Sequence, residues 1–217
     1  MEIQKKCYII GSGEFEATYF HPGREDYLIA ADGGYHRFVS LGLIPNLLIG
    51  DFDSIGKFEL SDEEAREKGI RIERLPKEKN DTDLLAAIRV GLDEGCRDFH
   101  IFGGTGGRID HTIANIQCLT YLSIQGCKGH LYGSNYELFT ITNNRVTFEP
   151  LEQGMIAVFA MGDRAEGVYL TGLKYPLINA TITKDYPIGV SNEFLGIESY
   201  IEVQNGTLLV VHYLTIL

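Results

Sequence analysis

The chain has no tryptophan, so any broad aromatic platform falls to its 12 tyrosines and 11 phenylalanines. Its four cysteines, Cys7, Cys96, Cys118 and Cys127, form no CxxC pair. That spacing offers neither a zinc knuckle nor a dithiol motif, and it fits free buried thiols in a reducing cytoplasm. Positive charge is also short, with 19 Lys and Arg against 30 Asp and Glu and a net charge of -11. Binding a nucleic-acid backbone needs Lys and Arg to displace counterions, which argues against such a partner. A cationic small molecule suits an acidic surface, as does a small polyphosphate that arrives with a metal ion. No run approaches the roughly 20 apolar residues of a membrane helix. The opening "MEIQKKCYIIGSGE" lacks a small-residue cleavage pattern, so neither a membrane partner nor a signal peptide is expected. The remaining composition, 44% hydrophobic and 23% charged, is that of an ordinary globular protein.

Two rhythms divide the chain. Up to about residue 133, short apolar runs alternate with helical patterns. "CYIIG", "DYLIAAD", "NLLIGD", "IRIERL", "DFHIFGG" and "GHLYG" read as strands covered on both faces. Between several of them lie helices. "SDEEAREKG" begins with Ser61 and Glu64 in capping-box spacing and stops at Gly69. "TDLLAAIRVGLDEG" sets Leu84, Leu85, Ile88 and Leu92 on one face, and "DHTIANIQCLTYLSIQG" runs to Gly126. Alternation of this kind predicts an open, mostly parallel α/β sheet over residues 1–133. From residue 134 to 217 the runs are short, rich in Tyr, Thr, Val and Ile, and separated by Gly, Asn and Pro. They predict an all-β antiparallel sandwich, in which "QNGTL" reads as a hairpin turn.

In an open parallel sheet, ligands bind beyond the carboxyl ends of the strands. The residues that follow the strands are unusually uniform. Asp32 follows the second strand, and Asp51 and Asp53 follow the third in "LLIGDFDSI". Asp81 and Asp83 follow the fourth, and Asp110 lies just past the fifth. Asp51 and Asp53, two residues apart on an extended segment, point the same way, and like charges that close repel unless a proton or cation lies between them. Mg²⁺ is one occupant; a turn followed by a helix cap is the other reading. Asp81 or Thr82 caps the following helix under the same bland reading, which fits Asp83 less well.

The stretch "GGTGGRIDHTIAN" adds an anion site. Gly103, Gly104, Gly106 and Gly107 let backbone N–H groups approach anionic oxygens. Arg108 brings a permanently charged planar fork, and the helix starting near Asp110 points its positive end the same way. The Walker A ending is missing, and "GSGEFE" does not complete GxGxxG. His111 and Asn115, one turn apart, fit either the site or an ordinary helix face.

These motifs resemble the thiamine pyrophosphokinase (thiamine diphosphokinase) family. "ADGG", "PNLLIGDFDSI", "KNDTDLLAAI" and "GGTGGRIDHTIAN" occur in that family's order, and "TGLKYPL" and "GVSNEF" resemble its two thiamine-site signatures. The resemblance implies an ATP-binding α/β domain and a C-terminal β-sandwich. It also implies a homodimer whose active sites form between subunits, with ATP and thiamine as substrates and Mg²⁺ as cofactor. By that resemblance Asp51, Asp53 and Asp83 are Mg²⁺ ligands. Thr82, Arg108 and Asp110 contact the nucleotide or the reacting hydroxyl, with Gly104, Gly106, Gly107 and Asp32 around the nucleotide. Ser191 and Asn192 lie in the thiamine pocket beside Tyr175, which stands where the family often has Trp. The implied chemistry is in-line attack of the thiamine hydroxyl on the β-phosphorus of MgATP, with AMP leaving. Asp83 and Asp110 are both candidates for the base, and Arg108 for absorbing charge. Two other readings compete: a pyrophosphokinase for another hydroxymethyl heterocycle such as a pterin, and a non-catalytic nucleotide-binding module.

Overall fold

A computed structural model describes residues 5–51, 60–76 and 81–214. Two compact units emerge, one formed by residues 1–118 and 131–134 and the other by 119–130 and 135–217. The first contains parallel strands β1 (Lys6–Ile10), β2 (Tyr27–Ala31), β3 (Leu47–Gly50), β4 (Arg71–Arg74) and β5 (Asp98–Phe102), in the order β5-β1-β2-β3-β4. Every pairing in this set is parallel. The chain steps outward from β1 to β4 and then returns to the opposite side of β1. The carboxyl ends of β1 and β5 therefore flank the point where the strand order reverses, which is where such sheets hold ligands.

Helices α1 (Tyr35–Ser40), α2 (Asp62–Glu67), α3 (Asp83–Asp93) and α4 (Ile109–Ile124) connect or follow these strands. The α2 cap is reciprocal. Ser61 Oγ accepts from the Glu64 N–H at 3.2 Å, and Glu64 Oε2 accepts from the Ser61 N–H at 2.8 Å. The buried face of α3 is Leu84, Ala87, Ile88 and Gly91, at i, i+3, i+4 and i+7. Leu85 and Leu92, expected on one face with Leu84 and Ile88, are only half-buried. The helix turns its two smallest buried residues to the sheet because there is no room for more. A Cβ on Gly91 would lie 2.6 Å from the Phe99 ring and 2.9 Å from Cys7 Sγ. Fully buried Ile9, Ile29, Ile49 and Ile101 sit mid-strand in this sheet, and a second cluster gathers Tyr8, Phe20, Phe38 and Phe102. All four cysteines are buried and free.

Helix α4 and strand β6 (Lys128–Tyr132) run across the division between the units. The second unit is all antiparallel within its own strands. One sheet places β12 (Asn192–Glu193), β9 (Met155–Ala160), β14 (Thr207–Tyr213) and β7 (Tyr136–Thr142) side by side. The other is ordered β11 (Leu177–Thr183), β10 (Arg164–Thr171), β13 (Ser199–Glu202) and β8 (Arg145–Phe148). Side chains from both sheets, among them Ile156, Val158, Val168, Leu170, Ile201 and Val210, form one core, so this unit is a sandwich. The "QNGTL" turn is not a hairpin. It joins β13 of one sheet to β14 of the other, so the turn chemistry serves a crossover between layers. No helix among the described residues is long and apolar enough to cross a membrane.

Candidate active site

Loops after β1 and β5 continue the pairing of those strands past their ends. Gly11 N–H donates to Phe102 O at 2.8 Å, Gly13 N–H to Gly103 O at 2.8 Å and Glu14 N–H to Thr105 O at 2.9 Å. Gly103 N–H returns a bond to Glu14 O at 2.9 Å. Only glycine fits here. Gly103 has φ +68°, and a Cβ on it would stand 2.4 Å from Gly11 O. The zipped loops form one wall of a cavity of about 350 Å³.

Four carboxylates line that cavity: Asp32, Asp51, Asp81 and Asp83. Thr82, Gly103, Gly104, His111 and Asn115 share the lining, as do Gly11 and Ser12. Among the described residues, no Lys or Arg does. The local sequence explains each placement. Asp32 holds a left-handed backbone, φ +49°, at the turn out of β2, a conformation Asp tolerates better than most residues. Asp51 is the first residue past β3. Thr82 is the N-cap of α3, its Oγ1 accepting from the Leu85 N–H at 3.2 Å, which puts Asp83 at the first helical position. Asp81 is engaged by the guanidinium of Arg89 two turns into α3, so its carboxylate is already neutralised in part. Asn115, buried in α4, donates from Nδ2 to Gly104 O at 2.8 Å and ties the glycine loop to the helix.

Arg108, Asp110, Gly106 and Gly107 are not among the lining residues. Arg108 forms a fork with Asp110, Nε to Oδ1 at 3.1 Å and a terminal nitrogen to Oδ2 at 2.5 Å. That contact holds the Asp110 carboxyl below its ordinary range and raises Arg108 in turn. Both side chains are largely solvent-exposed, so solvent screens the pair. Asp110 Oδ1 also accepts from the His111 N–H at 3.0 Å, at the start of α4. Asp53 lies outside the described residues.

Among the described residues, no three His, Cys, Asp or Glu side chains could by themselves hold a metal ion. The donor chemistry nonetheless suits Mg²⁺. The carboxylates are hard oxygen donors, and Mg²⁺ takes one or two of them and fills its octahedron with water and substrate phosphates.

In the second unit, the segments "GLKYP" and "SNEF" face one another. Asn192, 3% exposed, accepts from the Tyr175 N–H at 2.9 Å and donates to Tyr175 O at 2.8 Å. The Tyr175 ring is outward and 56% exposed, with Lys174 Nζ 5.5 Å from its centre. Ser191 sits beside it in the left-handed region, φ +58°, a strained conformation for serine. A separate cavity of about 540 Å³ lies in this unit, bordered by His130, Glu137 and Phe148. Tyr175, Ser191 and Asn192 do not line it. Burial opposes ionisation of Glu137, but His130 Nδ1 at 2.6 Å and His212 Nδ1 at 3.9 Å outweigh it and bring its carboxyl down to about 2.

Sequence reasoning passed over Gly11, Ser12 and Phe102 as site residues. The signal was the "GSGE" immediately after the first strand, set aside because it completes no known phosphate motif.

Two family descriptions match the chain: "Thiamin pyrophosphokinase, catalytic domain" over residues 23–130 and "Thiamin pyrophosphokinase, vitamin B1 binding domain" over residues 141–208. The thiamine pyrophosphokinase of Bacillus subtilis (strain 168) is 29% identical over 191 residues, covering 84% of this chain and 85% of its own. A crystal structure of thiamine pyrophosphokinase from Bacillus subtilis superposes with a TM-score of 0.84 at 25% identity, over 98% of this chain and 100% of that one. Thiamin pyrophosphokinase from Candida albicans shares the fold at 15% identity, with a TM-score of 0.77 over 97% of this chain and 89% of its own.

Proposed function

This chain belongs to the thiamine pyrophosphokinase family, and from that premise we propose how its residues carry ATP and thiamine to AMP and thiamine diphosphate. The observation that carries the reading is the cavity at the reversal point of the parallel sheet. Among the described residues it is lined by four aspartates and clustered glycines and by no lysine or arginine. Such a lining repels a bare polyphosphate and accepts one that comes with a divalent cation.

Asp51 and Asp83 would hold Mg²⁺ from the protein side, with Asp53 of the same sequence motif as a further ligand. When bound, the ion supplies neutralisation of charge on the phosphate oxygens and a fixed template for the nucleotide. The rest is done by the chain itself. The Gly103–Gly104 backbone, fixed by Asn115 and by the β1 loop, lets the nucleotide approach the sheet closely. Thr82 keeps its hydroxyl proton for donation while its oxygen caps α3. Arg108 faces solvent beside the glycine loop and is suited to meet outer phosphate oxygens once released from Asp110. Asp83 lines the cavity and Asp110 does not, so Asp83 is the better placed of the two to receive the hydroxyl proton. Most of the acceleration then comes from positioning and charge neutralisation, as in phosphoryl transfer generally.

Tyr175, Ser191 and Asn192 would form the thiamine side. The exposed Tyr175 ring offers a π-face to a cationic thiazolium. Residues 1–133 would supply the nucleotide half and 134–217 the thiamine half. A homodimer with active sites between subunits is supported by exposed apolar side chains close to these residues in the sequence, including Ile178, Tyr186, Val190 and Leu195. Product analysis tests the whole reading. With ATP, Mg²⁺ and thiamine, AMP and thiamine diphosphate accumulate in equal amounts. Release of ADP, or consumption of another alcohol in place of thiamine, overturns it.

A further inference from the structure

Asn192 has almost no polar capacity left for a ligand. Its Oδ1 accepts from the Tyr175 N–H at 2.9 Å and the Glu193 N–H at 3.0 Å, and its Nδ2 donates to Tyr175 O at 2.8 Å. One N–H remains. The side chain is also buried, at 3% exposure, and its strand is paired to β9 through Asn192 and Ile156. Both backbone polar groups of Tyr175 are thus tied to a residue anchored in the sandwich. Flanking contacts reinforce this. Lys174 N–H donates to Glu193 O at 3.0 Å, and Lys174 Nζ reaches Glu193 Oε1 at 2.8 Å. Pro176 follows at once, and a residue before proline is barred from the helical region. The ring itself is turned outward, 56% exposed, with the Lys174 ammonium 5.5 Å from its centre.

We propose that Asn192 is a positioning residue that, together with Pro176, fixes the backbone of Tyr175 so that its ring is a preset platform for the heteroaromatic substrate. This rests on the reading that Tyr175 meets thiamine. It assigns Asn192 to the recognition of the substrate through Tyr175 rather than through contact of its own. A tyrosine offers less stacking area than the tryptophan it replaces, so immobilising it in advance recovers affinity that ring size alone does not provide.

Kinetics of Asn192→Asp, Pro176→Gly and Tyr175→Ala, singly and combined, test the assignment. Asn192→Asp is isosteric and keeps the acceptor but sets a carboxylate oxygen against Tyr175 O. It should raise KM for thiamine roughly tenfold, leaving kcat and the KM for ATP within about twofold. Pro176→Gly, on an exposed turn, should raise the same KM by a smaller factor. In the Tyr175→Ala background both effects should fall below about twofold, because the residue they act through is gone. If Asn192→Asp keeps its full effect in that background, Asn192 touches the substrate directly and the assignment fails. It also fails if neither single variant moves the thiamine KM. Should Asn192→Asp not fold, Pro176→Gly decides alone by the same criterion. A failure of the underlying reading looks different: Tyr175→Ala leaves the thiamine KM unchanged. Amide exchange at Tyr175 is then still slow in the wild type and fast in Asn192→Asp, which shows a clamp that serves no substrate.

Discussion

Replacing Asn115 with alanine separates a site-building role from a packing role. The amide is 8% exposed and donates to Gly104 O at 2.8 Å, so the substitution removes one hydrogen bond and leaves a carbonyl short of a donor. Together these cost about 1–3 kcal/mol. The loss falls on a segment that is otherwise held to the β1 loop by backbone bonds at Gly103 and Thr105, with none at Gly104 itself among the described residues. Gly104 should therefore loosen without unfolding the sheet. If the loop must be reordered each time the nucleotide binds, about 1–2 kcal/mol reappears as a five- to thirtyfold rise in the KM for ATP. Urea unfolding measures the first consequence and steady-state kinetics the second, with the KM for thiamine as internal control. Loss of stability with an unchanged KM for ATP would refute the positioning role and make Asn115 a core residue. A collapse of kcat at constant KM would instead place it on the reacting atoms.

Other variants follow from the same geometry. Asp83→Asn should lower kcat by roughly a hundredfold or more. Asp81→Asn, whose carboxylate already serves Arg89, should cost much less, and equal losses in the two would contradict the division of roles. Gly103→Ala forces a Cβ to 2.4 Å from Gly11 O. It should destabilise the chain by about 1–3 kcal/mol or more and abolish ATP binding; a fully active variant would mean that the loops are not zipped. Glu137 has its carboxyl held at about 2, against the ordinary 4.5. The stability it lends is complete above the unfolded value and is lost as pH falls from 4.5 toward 2. Urea titrations at pH 5 and pH 2 should show Glu137→Gln losing about 3 kcal/mol less than wild type over that interval at most. Parallel losses in the two proteins would show that the histidines do not hold the carboxylate.

Local signals were read most directly. The Ser61–Glu64 box and the Thr82 cap are both formed as their spacing requires, because a cap depends on four or five consecutive residues. The parallel sheet followed from alternating strand and helix patterns, and the position of its ligand cavity from the rule about strand ends. What failed was whatever depends on distant partners. Leu85 and Leu92 are larger and more apolar than Ala87 and Gly91, yet the helix buries the small pair because Phe99 and Cys7 occupy the space. Asn205–Gly206 has hairpin chemistry, but chemistry at a turn does not say which sheet the next strand will join. Gly11 and Ser12 became site residues through backbone bonds to a loop some ninety residues away, a contact that no local motif encodes. Arg108 is a different case: it pairs with its near neighbour Asp110 outside the cavity lining, and its proposed contact with phosphate belongs to the nucleotide-bound protein.

Titration of ATP into the protein, first with excess Mg²⁺ and then with a chelator in its place, bears most directly on why acidic side chains gather at this end of the sheet. With the cation present, binding should be at least about tenfold tighter than without it, and Asp51→Asn should weaken only the cation-dependent part. Equal affinity in the two conditions, or tighter binding once the cation is removed, would contradict the account.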